Sequence, residues 1–229
     1  ESNTASHIVF EHYDRDDERR REALLALGNG VLSWRASAPE AAAMSDADDS
    51  KHYAGFYRAG WYDQAPREVN GDTVHMAALV NLPDPFGLSF ALGDGDWFSL
   101  DGVDLQRYRQ ALNLNDGALE RQLSFELAGH RVELLERRLV SMATPNLDVL
   151  RWELQLPPGV EVRLRSVLDG GVVNAGVERN RAYEGRRLQH LAFDHDDNGT
   201  TNLSARPWRC SSGRLGDSSN VVAPPTSSD

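Results

Sequence analysis

Asp94 with Asp96, Asp14 with Asp16 and Asp17, and Asp194 with Asp196 and Asp197 set carboxylates close together along the chain. Paired carboxylates carry glycoside chemistry: one protonates the leaving oxygen while the other activates water or attacks the sugar. That work needs a fixed separation across a sugar ring, which proximity in sequence does not supply. With 35 Asp and Glu among 229 residues, solvated loops account for these runs. His190 and His195 beside their aspartates raise a metal site, but the spacing matches no strong ligand motif and no cysteine accompanies them. His7, His12, His52, His75 and His130 are scattered. Nothing fixes the His–carboxylate pair that a mutarotase-like reaction at a sugar ring requires. Ser33, Ser37 and Ser141 lack the Gly-x-Ser-x-Gly setting of a nucleophile. The sequence therefore assigns no catalytic residue, no metal and no cofactor.

Two segments hold residues suited to carbohydrate. Tyr53-Ala-Gly-Phe-Tyr-Arg-Ala-Gly-Trp-Tyr62 has five aromatics in ten residues. Aromatic faces suit the C–H faces of pyranoses, and they equally fill a core or an interface. Tyr57, Trp61 and Tyr62 are the candidates here. Asn29, Trp34 and Arg35 are the candidates in Arg21-Glu-Ala-Leu-Leu-Ala-Leu-Gly-Asn-Gly-Val-Leu-Ser-Trp-Arg35. Packing at a domain interface is the plainer role for these three. Gly28-Asn-Gly30 predicts a tight reversal with positive φ.

The elements that must position them read as β. Leu119, Arg121, Leu123, Phe125 and Leu127 alternate with Glu120, Gln122, Ser124 and Glu126. Ala128-Gly-His130 turns the chain, and residues 131–141 return with an apolar phase change near Leu134-Leu135 that suggests a bulge. Leu150, Trp152, Leu154 and Leu156 alternate with Arg151, Glu153 and Gln155; after Pro157-Pro-Gly159, Val160, Val162 and Leu164 alternate with Glu161, Arg163 and Arg165. Residues 73–82 predict a strand, Asp84-Pro85 a turn, and 88–100 a hairpin around Gly93-Asp-Gly95. Residues 1–15 form a leading strand or arm. Asp16 or Asp17 caps a short helix that reaches Leu27 and stops at Gly28. Residues 38–52 read as an exposed loop. Short turns without amphipathic helices predict an all-β fold, antiparallel sheets packed as a large sandwich with one short N-terminal helix, over residues 1–203.

From Ser204 onward seven serines fall in 26 residues and the alternation stops. A natural irregular end and a reading frame shifted near residue 200 both explain this, and the shift is the expectation. The net charge of −11 argues against nucleic acid and anionic membrane as partners. The single cysteine, Cys210, permits no intrachain disulfide. Without an apolar run long enough to span a bilayer or a signal-like N-terminus, the cytoplasm is the default expectation.

The Arg21–Arg35 segment resembles the opening of glycoside hydrolase family 65, the maltose, trehalose and kojibiose phosphorylases. The resemblance continues through the Tyr53–Tyr62 block, Leu79-Val-Asn-Leu-Pro83, Trp97-Phe98, Tyr108-Arg-Gln-Ala-Leu-Asn-Leu-Asn-Asp-Gly117, Leu119-Glu-Arg121, Arg138-Leu-Val-Ser-Met142, Leu150-Arg-Trp-Glu153, Val167-Leu-Asp-Gly170 and Val173-Asn174. It covers about residues 13–195. Ser33 and Ala36 depart from it where glycine is usual. The resemblance implies an N-terminal β super-sandwich followed by a helical linker and a catalytic (α/α)6 barrel. That barrel carries a general-acid glutamate and a phosphate or water site. The implied partners are the barrel, absent from these residues, and a disaccharide ligand, with a homodimer as an option. The implied role is packing on the barrel and shaping its entrance. A free-standing carbohydrate-binding module and a mutarotase-like enzyme are the alternatives.

Overall fold

The computed structural model describes residues 6–43, 51–174, 188–195 and 201–207. In chain order the elements are β1 (His7–Phe10), α1 (Glu18–Leu24), β2 (Leu27–Gly28), β3 (Leu32–Trp34), α2 (Pro39–Ala42), β4 (Phe56–Arg58), β5 (Tyr62–Val69), β6 (Asp72–Leu79) and β7 (Asp84–Leu92). They continue with a 3-10 turn (Leu100–Gly102), β8 (Asp104–Asn113), β9 (Ala118–Leu127), β10 (His130–Val140), β11 (Asp148–Gln155), β12 (Val162–Asp169), β13 (Leu188–His195) and β14 (Thr201–Pro207). The fold is all-β and antiparallel, as the alternation predicts.

The chain divides into two compact units: residues 1–54 with 86–167, and residues 55–85 with 168–229. In the first, β1-β8-β9-β10-β11 form one five-stranded sheet. Its β9–β10 ladder runs unbroken from Arg138↔Leu119 to His130↔Leu127. Phe90, Leu92, Phe98, Leu100, Tyr108, Leu123, Phe125, Val132 and Leu134 form the core of this unit. Phe98 stacks on Phe125 with centroids 4.6 Å apart, and Trp152 meets both Phe90 and Phe98 edge-on. Full burial of each such ring contributes about 1.5–3 kcal/mol. In the second unit, β5 pairs with β6 across the Asn70-Gly71 turn, and β13 pairs with β14.

Several expectations need correction. The β10 ladder has no bulge at Leu134-Leu135. Its inward phase persists, and polar Glu136 and Arg138 occupy inward positions because buried partners satisfy them. Asp84-Pro85 opens strand β7 rather than a turn. Residues 97–100 return toward β7 without forming a strand, held by Phe98 N–H on Phe90 O at 2.7 Å and Ser89 Oγ on Phe98 O at 3.0 Å. Residues 39–42 form a helix whose Pro39 and Glu40 are buried, so the expected exposed loop begins with a core contact. Helix α1 ends at Leu24, and Leu27 and Gly28 are already strand. Asp17 is its N-cap without a side-chain capping bond; that carboxylate goes to Arg20 Nε at 2.6 Å and Arg21 Nε at 2.9 Å. Strand β14 runs to Pro207, so residues 204–207 of the expected irregular tail are paired with β13. The rest of that tail, with Cys210, lies outside the described residues.

Alternation also conceals direction in β12. Val162 and Leu164 face solvent, whereas Arg163 turns in and donates to Gly93 O at 2.6 Å and Gly95 O at 2.8 Å. The Arg165 guanidinium lies 4.0 Å from the Trp97 ring centroid.

Candidate functional site

Asn29 closes the β2–β3 turn. Its Oδ1 accepts from Val31 N–H at 3.0 Å and Leu32 N–H at 2.8 Å. Its Nδ2 donates to Ser141 O at 2.7 Å and Pro145 O at 3.1 Å. Positive φ is confined to Gly30 within this turn; Gly28 is strand, paired with Ser33. The reversal therefore depends on an asparagine side chain as much as on glycine freedom.

Trp34 is buried, stacked on Phe86 with centroids 3.7 Å apart and faced by the Arg138 guanidinium at 5.0 Å. Arg35 donates to Tyr53 O at 2.9 Å and Arg19 O at 3.0 Å, and it lies over the Tyr53 ring. Beside it, Glu22 accepts from Tyr53 N–H at 2.8 Å and pairs with His52 Nδ1 at 3.0 Å. Burial pulls His52 down, but the hydrogen bond and charge of Glu22 outweigh it and leave the imidazole above its usual range. Sequence reasoning missed this Glu22–His52 contact, because their separation of 30 residues carries no local signal.

A larger buried charge cluster was equally hidden. Arg121 forks onto Glu40, with Nη1 to Oε1 at 2.7 Å and Nη2 to Oε2 at 2.6 Å, and it reaches Glu136 at 2.8 Å. Glu136 also receives Arg138 Nε at 2.6 Å and Trp152 Nε1 at 2.7 Å. Arg138 Nη1 donates to Ser37 O at 2.7 Å. Burial pushes the Glu136 carboxyl up, but Arg121 and Arg138 overcome it and hold the group below its ordinary range. Both oxygens of Glu40 and both of Glu136 are thus engaged, and each side chain in the cluster is at most 2% exposed. Glu18 differs: burial drives it to about 7, and its Oε1 has no hydrogen-bond partner.

The aromatic candidates lie in the second unit. Tyr57 and Trp61 are half-buried, and Tyr62 is 40% exposed. Their backbone is fixed by Trp61 O accepting Val80 N–H at 3.2 Å and by Asn81 Oδ1 accepting Phe56 N–H at 3.0 Å. Asn174 then accepts from Asn81 N–H at 2.9 Å and donates to Leu79 O at 2.7 Å. Two sequence blocks far apart, Leu79-Val-Asn-Leu-Pro83 and Val173-Asn174, are thus one hydrogen-bonded unit. Asn29, Trp34 and Arg35 belong to the first unit and Tyr57, Trp61 and Tyr62 to the second.

Asp194 and the two histidines fall on β13, and Asp196 and Asp197 lie outside the described residues. Among the described residues no helix is long and apolar enough to cross a membrane.

Comparison with known proteins gives a consistent assignment. The family model for the N-terminal domain of glycosyl hydrolase family 65 matches residues 8–207. An uncharacterized glycosyl hydrolase of Mycobacterium tuberculosis is 41% identical over 183 residues, which are 79% of this chain and 13% of that protein. A kojibiose phosphorylase of Halothermothrix orenii is 31% identical over 165 residues, 69% of this chain and 18% of that one. A solved structure assigned as a kojibiose phosphorylase from the human microbiome superposes with a TM-score of 0.74 at 16% identity, over 90% of this chain and 26% of its own. The chain spans about a quarter or less of these relatives.

Proposed function

The chain belongs to glycosyl hydrolase family 65 as its N-terminal domain, and from that premise we propose that it serves as the non-catalytic domain of a larger disaccharide phosphorylase or glycoside hydrolase. In this reading it packs on a catalytic barrel and shapes the entrance for an α-linked glucoside. The chemistry belongs to the barrel: phosphate or water attacks the anomeric carbon while a carboxylic acid protonates the leaving oxygen. The observation that carries the reading is coverage. A model of the N-terminal domain alone accounts for residues 8–207, and the matched relatives are several times longer. The first unit adds support, because both oxygens of buried Glu40 and of buried Glu136 are taken up by arginines. Sequencing the parent locus past codon 207 tests this. A continuing frame that encodes a helical barrel is the expected result, and a genuine stop directly after these residues would refute it.

A carbohydrate-binding role for the chain by itself is the second reading, favoured by the exposed Tyr62 beside half-buried Trp61. Titration with kojibiose, maltose and trehalose, followed by tryptophan fluorescence, tests it. Saturable binding that Trp61→Ala abolishes without unfolding the chain would establish this role.

A further inference from the structure

The outer face of the β10–β11 ladder ends in apolar residues. Leu139 and Val149 are direct cross-strand partners. Ser141 N–H donates to Leu147 O at 2.9 Å and extends the ladder, so Leu147 shares a face with Val149 by the two-residue period of a strand. Leu139, Val149 and Leu147 are 42%, 43% and 46% exposed, and Met142 is 80% exposed. The next pair on this face is Arg137 with Arg151. Arg137 is ion-paired to Glu120 at 3.1 Å and Arg151 to Glu153 at 3.2 Å. Apolar residues bordered on one side by ion-paired arginines match the mix found at an interface, where an apolar centre meets a polar edge.

The loop that carries Met142 is held in shape. Thr144 N–H donates to Ser141 Oγ at 2.9 Å and Leu147 N–H to Thr144 O at 3.0 Å. From outside the loop, Asn29 Nδ2 grips Ser141 O and Pro145 O. A surface loop built only to connect two strands needs no amide from 112 residues away. Fixing it in advance removes an ordering cost that binding otherwise bears.

We infer that Leu139, Met142, Leu147 and Val149 form the surface on which the remainder of the parent polypeptide docks, with Asn29 as the residue that positions the loop. The inference rests on the reading that the chain is one domain of a longer enzyme. Most of the length of each relative described above lies beyond the segment this chain covers. A covalently tethered segment meets the patch at an effective concentration on the order of millimolar, far above a second copy in dilute solution.

Met142 itself supplies the readout, since hydrogen peroxide converts an exposed thioether to the sulfoxide. The rate is followed by peptide mass spectrometry in the 229-residue chain and in the whole parent polypeptide, with N-acetylmethionine amide as internal standard. The expected result is oxidation about tenfold or more slower in the parent, because burial removes thioether access. Asn29→Ala in the parent should move the Met142 rate back toward that of the free chain. Equal Met142 rates in the free chain and in an enzymatically active parent would overturn the docking surface and leave the domain reading intact. A parent inactive on α-linked glucose disaccharides, with or without phosphate, would remove the reading and the inference with it. Protection in the free chain that grows with protein concentration would assign the patch to a second copy and overturn the proposal.

Discussion

The side-chain amide of Asn29 donates to the backbone carbonyl of Ser141 at 2.7 Å, joining the β2–β3 turn to the β10–β11 loop across 112 residues. The same side chain accepts two backbone N–H bonds inside its own turn. Asn29→Ala removes all of these bonds at once. A loss of about 2–3 kcal/mol is expected from bonds of this kind, read as a melting temperature about 5–10 °C lower for a chain this size. Asn29→Asp keeps the acceptor and loses the donor. It should therefore hold the β2–β3 turn and release loop 141–147, visible as faster amide exchange at Leu147 than at Leu32. Equal exchange at both would mean that the amide does not hold the loop.

The Glu40–Arg121–Glu136–Arg138 cluster is nearly solvent-free, with each side chain at most 2% exposed. A buried charge left without its partner costs about 3–5 kcal/mol. Arg121→Met should therefore be among the most damaging single changes in the chain, because Glu40 and Glu136 would lose their common counter-ion. The urea midpoint measures it. A drop worth less than about 1 kcal/mol, the range of exposed pairs, would show that water reaches the cluster.

Burial raises Glu18 from 4.5 to about 7. The folded chain therefore holds a proton that the unfolded chain releases. Stability is fully present below the unfolded value and is lost as pH rises through the folded one. His52, raised above 6.5 by Glu22 against the pull of burial, acts in the same direction. Unfolding free energy should fall between pH 5 and pH 8. Glu18→Gln should recover about 2 kcal/mol at pH 8 and little at pH 5. Equal urea midpoints for the two proteins at pH 8 would contradict the assignment.

Gly87 sits in β7, whose partner strand is β12. A Cβ there would meet Val167 O at 2.9 Å and Val167 Cβ at 3.1 Å. Since the first obstacle is backbone, Gly87→Ala should cost about 1–3 kcal/mol by overpacking, as measured by thermal unfolding. Gly117→Ala would meet nothing within 4 Å, but it sits at φ 69° and should lose about 1 kcal/mol through backbone strain alone.

The strands were legible where one face is apolar and the other polar. Leu119, Leu123 and Phe125 turn inward as their period requires. Legibility failed where burial and polarity part company. Glu136 and Arg138 occupy inward positions of β10, so the strand reads as if its phase changed. The partners that permit this, Glu40 and Arg121, stand 96 and 15 residues from Glu136 and leave no local trace. In β12 the reverse holds for the start of its alternation: Val162 and Leu164 face out and Arg163 faces in, satisfied by two carbonyls of a distant turn. Pro66 inside β5 obscured that strand, because proline is tolerated only where no ladder donor is needed. Of the candidate residues, Asn29 was legible as a turn former, but its reach to Ser141 was not. Trp34 and Arg35 stood out by residue type, and their contacts with Phe86 and Tyr53 emerge only from the fold.

Activity divided between the chain and its parent tests the central claim most directly. Kojibiose, maltose, trehalose and trehalose 6-phosphate are offered to the 229-residue chain and to the whole parent polypeptide, with and without inorganic phosphate. Release of glucose, glucose 1-phosphate or the corresponding phosphosugars is measured. Turnover of an α-linked disaccharide by the parent and none by the chain is the expected result. Turnover by the isolated chain, above that of its heat-unfolded control, would contradict it, because an active site would then lie within these residues.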